Sequence, residues 1–153
     1  MDSKLYFHFD SPVGRVYVAE SDGVITDVSY KPIIGVSEKE TPLIARTIIM
    51  LCEYFEGSRK TFDELPLNPV GTEFQKKAWN ALLKIPYGET RSYEEQAMLI
   101  GNAKAYRAVG NANSKNPISI IIPCHRVIGK NKKLVGYGGG LDVKRFLLEL
   151  EGN

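Results

Sequence analysis

Apolar and polar positions alternate through the first thirty residues and then change period. "KLYFHF", "GRVYVAE" and "VITDVSY" are rich in aromatic and β-branched side chains, and Asp22-Gly23 supplies a turn before the third. That pattern predicts three strands. "TPLIARTIIMLCEYFEG" switches to helical spacing, with Ile44, Ile48, Leu51, Cys52 and Phe55 on one face. Thr41 is placed as N-cap, Pro42 as the first helical residue and Gly57 as the stop. Cys52 lies on the stripe, so its expected role is that of a small buried hydrophobe.

"SRKTFDELPLNPVG" is a proline-containing connector, and the domain boundary is placed there: an N-terminal α/β domain over 1–66 and a second domain over 67–153. Beyond it the helical period dominates. "TEFQKKAWNALLKI" opens on Thr72 and Gln75 as a capping box and keeps Phe74, Ala78, Leu82 and Ile85 on one face, with Trp79 expected in the core. "SYEEQAMLIG" repeats the capping logic with Ser92 and Glu95 and stops at Gly101. A second short helix follows, with Asn102 as N-cap and Arg107 set among Ala103, Ala105, Ala108, Gly110 and Ala112. Two short helices across a glycine turn are the sequence form of a helix-turn-helix. Close helix packing with Arg107 in solvent fits this pattern as well as insertion into a nucleic-acid surface does. "LDVKRFLLELEGN" predicts a last amphipathic helix with Val143, Phe146, Leu147 and Leu150 inward. The expected fold class is therefore α+β: a small N-terminal sheet with a helix, then a helical domain with a helix-turn-helix and a sharp turn at "PCHR".

Charge changes this picture more than composition does. The 153 residues are 43% hydrophobic and 25% charged, ordinary for a globular chain. The net charge of +2 hides a division: residues 1–66 carry 7 Lys and Arg against 11 Asp and Glu, and residues 67–153 carry 13 against 7. The balances, −4 and +6, point the second domain toward a polyanion. The longest apolar run, "IIMLC", is far too short to span a bilayer, and "MDSKLYFHFD" lacks the basic start and apolar stretch of a signal peptide. A cytoplasmic location is expected, or a nuclear one in a eukaryote. Two cysteines make no disulfide framework and should be free thiols there.

Candidate chemistry sits in "IIIPCHRVIG". Ile120, Ile121 and Ile122 read as a buried extended run, and Pro123 restricts the backbone on both sides. A thiol at the end of a stiff run is held in place. Cys124 would need a base to become a thiolate at neutral pH. His125 is adjacent in sequence, but neighbouring side chains diverge, so either the backbone turns at Cys124 or a water bridges the two. Spacing leaves the acid that would orient His125 open between Glu149, Glu151 and others. A buried structural thiol beside a satisfied histidine is the plainer reading of any Cys-His pair. Two Cys and two His, with Cys52 and His8 far off, offer no zinc spacing, so no metal is expected.

"IPCHRVIG", preceded by "RAVGNANSKNP" and followed by "GYGGGLDVKRFLLELE", resembles the O6-alkylguanine-DNA alkyltransferases, and "GTEFQKKAWNALLKIPYGETRSY" is similar to the same family. The resemblance covers about residues 70–152, while the N-terminal third matches only in strand-then-helix order. It implies a suicide repair protein that binds duplex DNA as a monomer, flips out O6-alkylguanine and moves the alkyl group onto Cys124, without a cofactor and once per molecule. O4-alkylthymine is a second candidate substrate. By the same resemblance His125 acts through a water, Glu151 orients His125, and Asn116 links the helix-turn-helix to the turn. Tyr93 crowds the target phosphate and gives a proton to the guanine ring. Arg107 fills the gap in the stack, with Tyr106, Ala108 and Gly110 on the same DNA-facing helix. Tyr137, Gly138 and Val127 line the base pocket. Small residues around Arg107 then suit a close minor-groove approach.

Three positions depart from the family pattern. Tyr106 stands where a small residue is usual, which changes groove contacts or adds a stacking group. Gln96 replaces an apolar residue in the first DNA-binding helix, and a partly exposed position is expected for it. The zinc ligands that some relatives carry in the N-terminal domain are absent. Rival readings are a lesion-binding relative without transfer, a thiol hydrolase using Cys124 and His125, and a plain helix-turn-helix regulator. The acceptor cysteine argues against the first, and the combined signature against the last.

Overall fold

Valines and aromatics at every second position make strands when one face can be buried. The computed structural model describes residues 4–130 and 134–153, so Lys132 and Lys133 of the basic half lie outside the described residues. The chain forms two compact units: 1–70 with 117–121, and 71–116 with 122–153. In the first unit β1 (Leu5–Ser11), β2 (Gly14–Ser21), β3 (Val24–Ser29) and the short β4 (Ser37–Glu38) pair in the order β3-β2-β1-β4. The first three strands run antiparallel and β4 pairs parallel to β1. Val16, Val18, Ile25 and Val28 are fully buried.

Helix α1 (Pro42–Phe55) carries the cap its sequence predicts. The Thr41 hydroxyl oxygen accepts from the Ile44 N–H, and the hydroxyl donates to Glu20 at 2.6 Å. Its buried stripe is Ile44, Thr47, Met50, Leu51, Tyr54 and Phe55. Cys52 sits at the edge of that stripe and is only half-buried, which corrects the expectation of a core thiol.

The outer edge of β3 is covered by two passing segments. The Ile25 N–H donates to Pro66 O and Asn68 N–H to Ile25 O, while the Val28 N–H donates to Pro117 O and Ser119 N–H to Val28 O, all within 2.8–2.9 Å. An edge satisfied in this way offers no free ladder to other chains. The segment 117–121, distant in sequence, therefore belongs to the first unit.

The second unit is helical. Helix α2 (Glu73–Leu82) and α3 (Tyr93–Leu99) both begin with complete capping boxes, Thr72 with Gln75 and Ser92 with Glu95. Trp79 is buried, and its Nε1–H donates to Ala112 O at 2.8 Å. Phe74 turns outward instead, because the inward stripe is Ala78, Trp79, Ala81 and Leu82. Gly71 is needed where it stands: a Cβ there would lie 2.4 Å from the Trp79 ring. A 3₁₀ turn capped by Asn102 leads into α4 (Tyr106–Ser114), which completes the helix-turn-helix.

Two further expectations are corrected here. Gln96 is fully buried rather than partly exposed, because its amide finds hydrogen-bond partners inside. The run Ile120–Ile122 is buried but not extended. Ile120 adopts φ +71°, Ile121 N–H donates back to Ser119 O, and Cys124 N–H donates back to Ile122 O. These are three-residue turns, and a β-branched residue at positive φ is strained. Short β5 (Arg91–Ser92) pairs parallel with β6 (Val127–Ile128). The last helix, α5 (Leu141–Leu150), buries Lys144, Leu147 and Leu148, with Glu151 buried just beyond it. Phe146 is exposed, so the inward stripe is shifted one position from the apolar pattern, and two of its four members are charged.

Candidate active site

Two consecutive tight turns bring the backbone to Cys124, where a single 3₁₀ turn (Cys124–Arg126) begins. The turn directs three adjacent side chains to different partners. Asn116 Nδ2 donates to Ile122 O at 2.8 Å and to Cys124 Sγ at 3.3 Å. One amide thus holds both the turn and the sulfur. Cys124 is 8% exposed, and burial pushes its thiol up, against the Asn116 hydrogen bond and the positive charge of Lys144, which favour the thiolate.

His125 is wholly buried and its Nε2 lies 2.7 Å from Glu151 Oε2. Glu151 also accepts from Arg126, Nε at 2.8 Å and Nη2 at 3.1 Å, and from the Gly88 N–H at 3.4 Å. Burial alone would raise Glu151, but the hydrogen bonds from His125 and Arg126 outweigh it and hold the carboxyl at about 2. A carboxylate there can only accept, so His125 carries its proton on Nε2. Nδ1 is left as a lone pair, buried and with no hydrogen-bond partner among the described residues. Burial, with the charges of Arg126 and Lys144, lowers His125 against the pull of Glu151, so the ring is neutral at pH 7 and able to take a proton. Of the acids that spacing left open, Glu151 lies within hydrogen-bond distance of His125.

Arg126 and Lys144 are charged members of the site that sequence reasoning passed over. Arg126 also donates to Ile85 O at 2.7 Å and lies over the Tyr87 ring at 5.7 Å. Lys144 Nζ donates to Val135 O at 2.8 Å and Gly136 O at 3.3 Å, tying down the segment before Tyr137. Burial brings its ammonium down to about 8. The available signal was helical spacing: positions 144, 147, 148 and 151 form one face, and only tertiary partners explain charges on it.

A cavity of about 50 Å³ is lined by Tyr93, Gly110, Asn113, Ser114, Cys124, Gly136 and Tyr137. It brings together Cys124, Tyr93, Gly110 and Tyr137 from the expected set and adds Asn113, Ser114 and Gly136. Gly110 lies so that a Cβ would sit 3.5 Å from the Tyr93 ring. The Tyr93 hydroxyl donates to Val135 O at 3.3 Å, and burial keeps it protonated, with the charge of Cys124 acting the same way. Val127 is buried in β6 and Gly138 is exposed, and neither lines this cavity. Ala108, Tyr106 and Arg107 are exposed on α4, with the Arg107 guanidinium 5.9 Å from the Tyr106 ring centre. Among the described residues no group of three or more His, Cys, Asp or Glu is placed to hold a metal ion. No helix among the described residues is long and apolar enough to cross a membrane.

A helix-turn-helix in the same unit as a buried thiol, a neutral histidine and an ionised glutamate defines a class: DNA-binding proteins that carry reactive sulfur chemistry. Residues 73–153 match the family model described as the 6-O-methylguanine DNA methyltransferase DNA-binding domain, and residues 4–69 match that family's ribonuclease-like domain. The methylated-DNA–protein-cysteine methyltransferase of Methanosarcina acetivorans is 49% identical, over 97% of this chain and 98% of its own. The constitutive one of Bacillus subtilis is 47% identical, over 95% and 94%. The Mycobacterium tuberculosis OGT structure in complex with DNA superposes with a TM-score of 0.89 at 46% identity, over 96% of this chain and 92% of that one. The chain belongs to the 6-O-methylguanine DNA methyltransferase family. It is a DNA-binding repair protein that works by direct alkyl transfer.

Proposed function

We propose that Cys124 is the alkyl acceptor for O6-alkylguanine flipped out of duplex DNA, and that the protein acts as a monomer, once per molecule. The observation that carries the assignment is the ordered set at the turn: Asn116 on the sulfur, and Glu151 on Nε2 of His125, leaving the buried Nδ1 as the base. A water between Sγ and Nδ1 relays the thiol proton to His125, whose imidazolium Glu151 stabilises. The thiolate attacks the alkyl carbon, a C–S bond forms and the C–O6 bond breaks, with its electron pair passing into the purine. Tyr93, held protonated beside Cys124, gives a proton to the ring, so guanine leaves neutral. The imidazolium returns that proton to Tyr93 through solvent.

Arg107, exposed on α4 among small residues, fills the stack in place of the flipped base, which offsets the few kcal/mol of flipping. Tyr137 and Gly136 line the pocket beside Cys124. A thioether has no route back to a thiol among these groups, and the half-buried Cys52 lies in the other unit, so transfer is irreversible. The protein is expected to work in the compartment that holds the DNA. The test is mass spectrometry after mixing with a duplex that carries one O6-methylguanine. One methyl mass is expected on the Cys124 peptide, saturating at one per molecule and absent in Cys124→Ala. An unchanged protein mass with a persisting lesion would overturn the assignment, and turnover of small esters without DNA would favour a thiol hydrolase.

A further inference from the structure

Gln96 is a fully buried amide in the first helix of the helix-turn-helix, and buried amides are costly unless paired. Its pairing is complete and directional. Nε2 donates to Ala78 O of α2 at 3.1 Å and to Asn113 Oδ1 of α4 at 2.9 Å, and Asn113 Nδ2 donates back to Gln96 Oε1 at 2.8 Å. The Ala78 carbonyl can only accept, so it fixes which end of Gln96 is the donor. That choice fixes the orientation of the Asn113 amide, with Oδ1 against Gln96 Nε2 and Nδ2 against Gln96 Oε1. Asn113, unlike Gln96, lines the cavity beside Cys124.

We propose that Gln96 is a specificity-setting positioning residue: through the closed Gln96–Asn113 amide pair it fixes the polarity and shape of the pocket wall that meets the flipped base and its alkyl group. Gln96 touches neither substrate nor sulfur. With its partner removed, Asn113 loses both of its amide hydrogen bonds to Gln96, and the cavity it lines gives it room to turn. The wall then changes where alkyl groups of different size are told apart. This inference rests on the alkyl-transfer reading of the site.

The experiment is single-turnover transfer from two duplexes, one with O6-methylguanine and one with O6-benzylguanine, alongside thermal melting and binding to undamaged duplex. Gln96→Leu is expected to slow methyl transfer about tenfold, since it leaves Ala78 O and both ends of the Asn113 amide without their Gln96 partner. It is also expected to change the benzyl-to-methyl rate ratio by at least about threefold, with undamaged-DNA affinity within about twofold of wild type. Gln96→Leu combined with Asn113→Leu removes both polar partners and is expected to recover methyl transfer to within about threefold, since matched apolar replacement is nearly neutral. Should Gln96→Leu fail to fold, Gln96→Met, close in volume, is read in the same way. An unchanged rate ratio, or rates that fall only in step with the folded fraction, would overturn the inference and leave Gln96 a structural residue. Wild-type protein inert toward both duplexes would instead overturn the alkyl-transfer reading.

Discussion

Three adjacent residues, Cys124, His125 and Arg126, lie in one 3₁₀ turn, the first against Asn116 and the other two on Glu151. Glu151 is the shared anion for two of them. Changing it to Gln removes the charge that orients His125 and pairs Arg126. Transfer is expected to fall about a hundredfold or more, the range for a positioned base. Stability is expected to fall by about 3 kcal/mol or more, since Arg126 would be left buried and unpaired, and thermal melting checks it. Lys144 acts on the sulfur through its charge, with its ammonium already bound to two carbonyls. Lys144→Met is expected to raise the pH at which Cys124 ionises, read from ultraviolet thiolate absorbance. An unmoved titration would assign Lys144 to the loop alone.

The helix-turn-helix owes its placement to its ends as much as to its faces. Two capping boxes start α2 and α3, and Asn102 starts the turn into α4. Removing the Ser92 cap with alanine is expected to cost about 1 kcal/mol and to show in thermal melting. Arg107 belongs to this scale because its task depends on how α4 meets DNA. Arg107→Ala is expected to slow transfer from duplex substrate by tenfold or more while leaving transfer from free O6-benzylguanine base within about twofold, since the free base needs no flipping. Equal loss on both substrates would place Arg107 in the chemistry rather than in the stack. Duplex binding should also weaken steeply with salt, as phosphate neutralisation requires.

For the whole molecule, the buried charges set the response to acid. His125 is lowered by burial, so below its ordinary value of 6.5 the unfolded chain takes up a proton that the folded chain does not. Stability therefore falls as pH drops through 6.5. Glu151, held at about 2 against an ordinary 4.5, adds stability that is complete above 4.5 and lost as pH falls toward 2. The melting temperature is expected to decline from pH 7 to pH 5 and faster below, with the first part of the decline reduced in His125→Phe. A flat melting profile between pH 7 and 5 would show that His125 ionises as freely folded as unfolded.

Period and caps were legible in the chain itself because they are local. Strands β1 to β3, the helix starts at Thr41, Thr72 and Ser92, and the helix-turn-helix follow from side chains within a few residues of one another. The segment that carries the proposed acceptor was legible too, because Pro123, Cys124 and His125 stand together in a distinctive stretch. What tertiary structure decided is which buried groups are polar and why. Phe146 points outward and Lys144 inward, Gln96 is fully enclosed, Ile120–Ile122 turn instead of extending, and 117–121 join the first unit. Several of these depend on partners outside the residue's own element: Val135 and Gly136 for Lys144, Ala78 and Asn113 for Gln96, Val28 for the 117–119 backbone. Hydrophobic periodicity records only the average polarity of a face. A hydrogen bond that makes a buried amide or charge tolerable is fixed by distance in space, and the sequence carries no local mark of it.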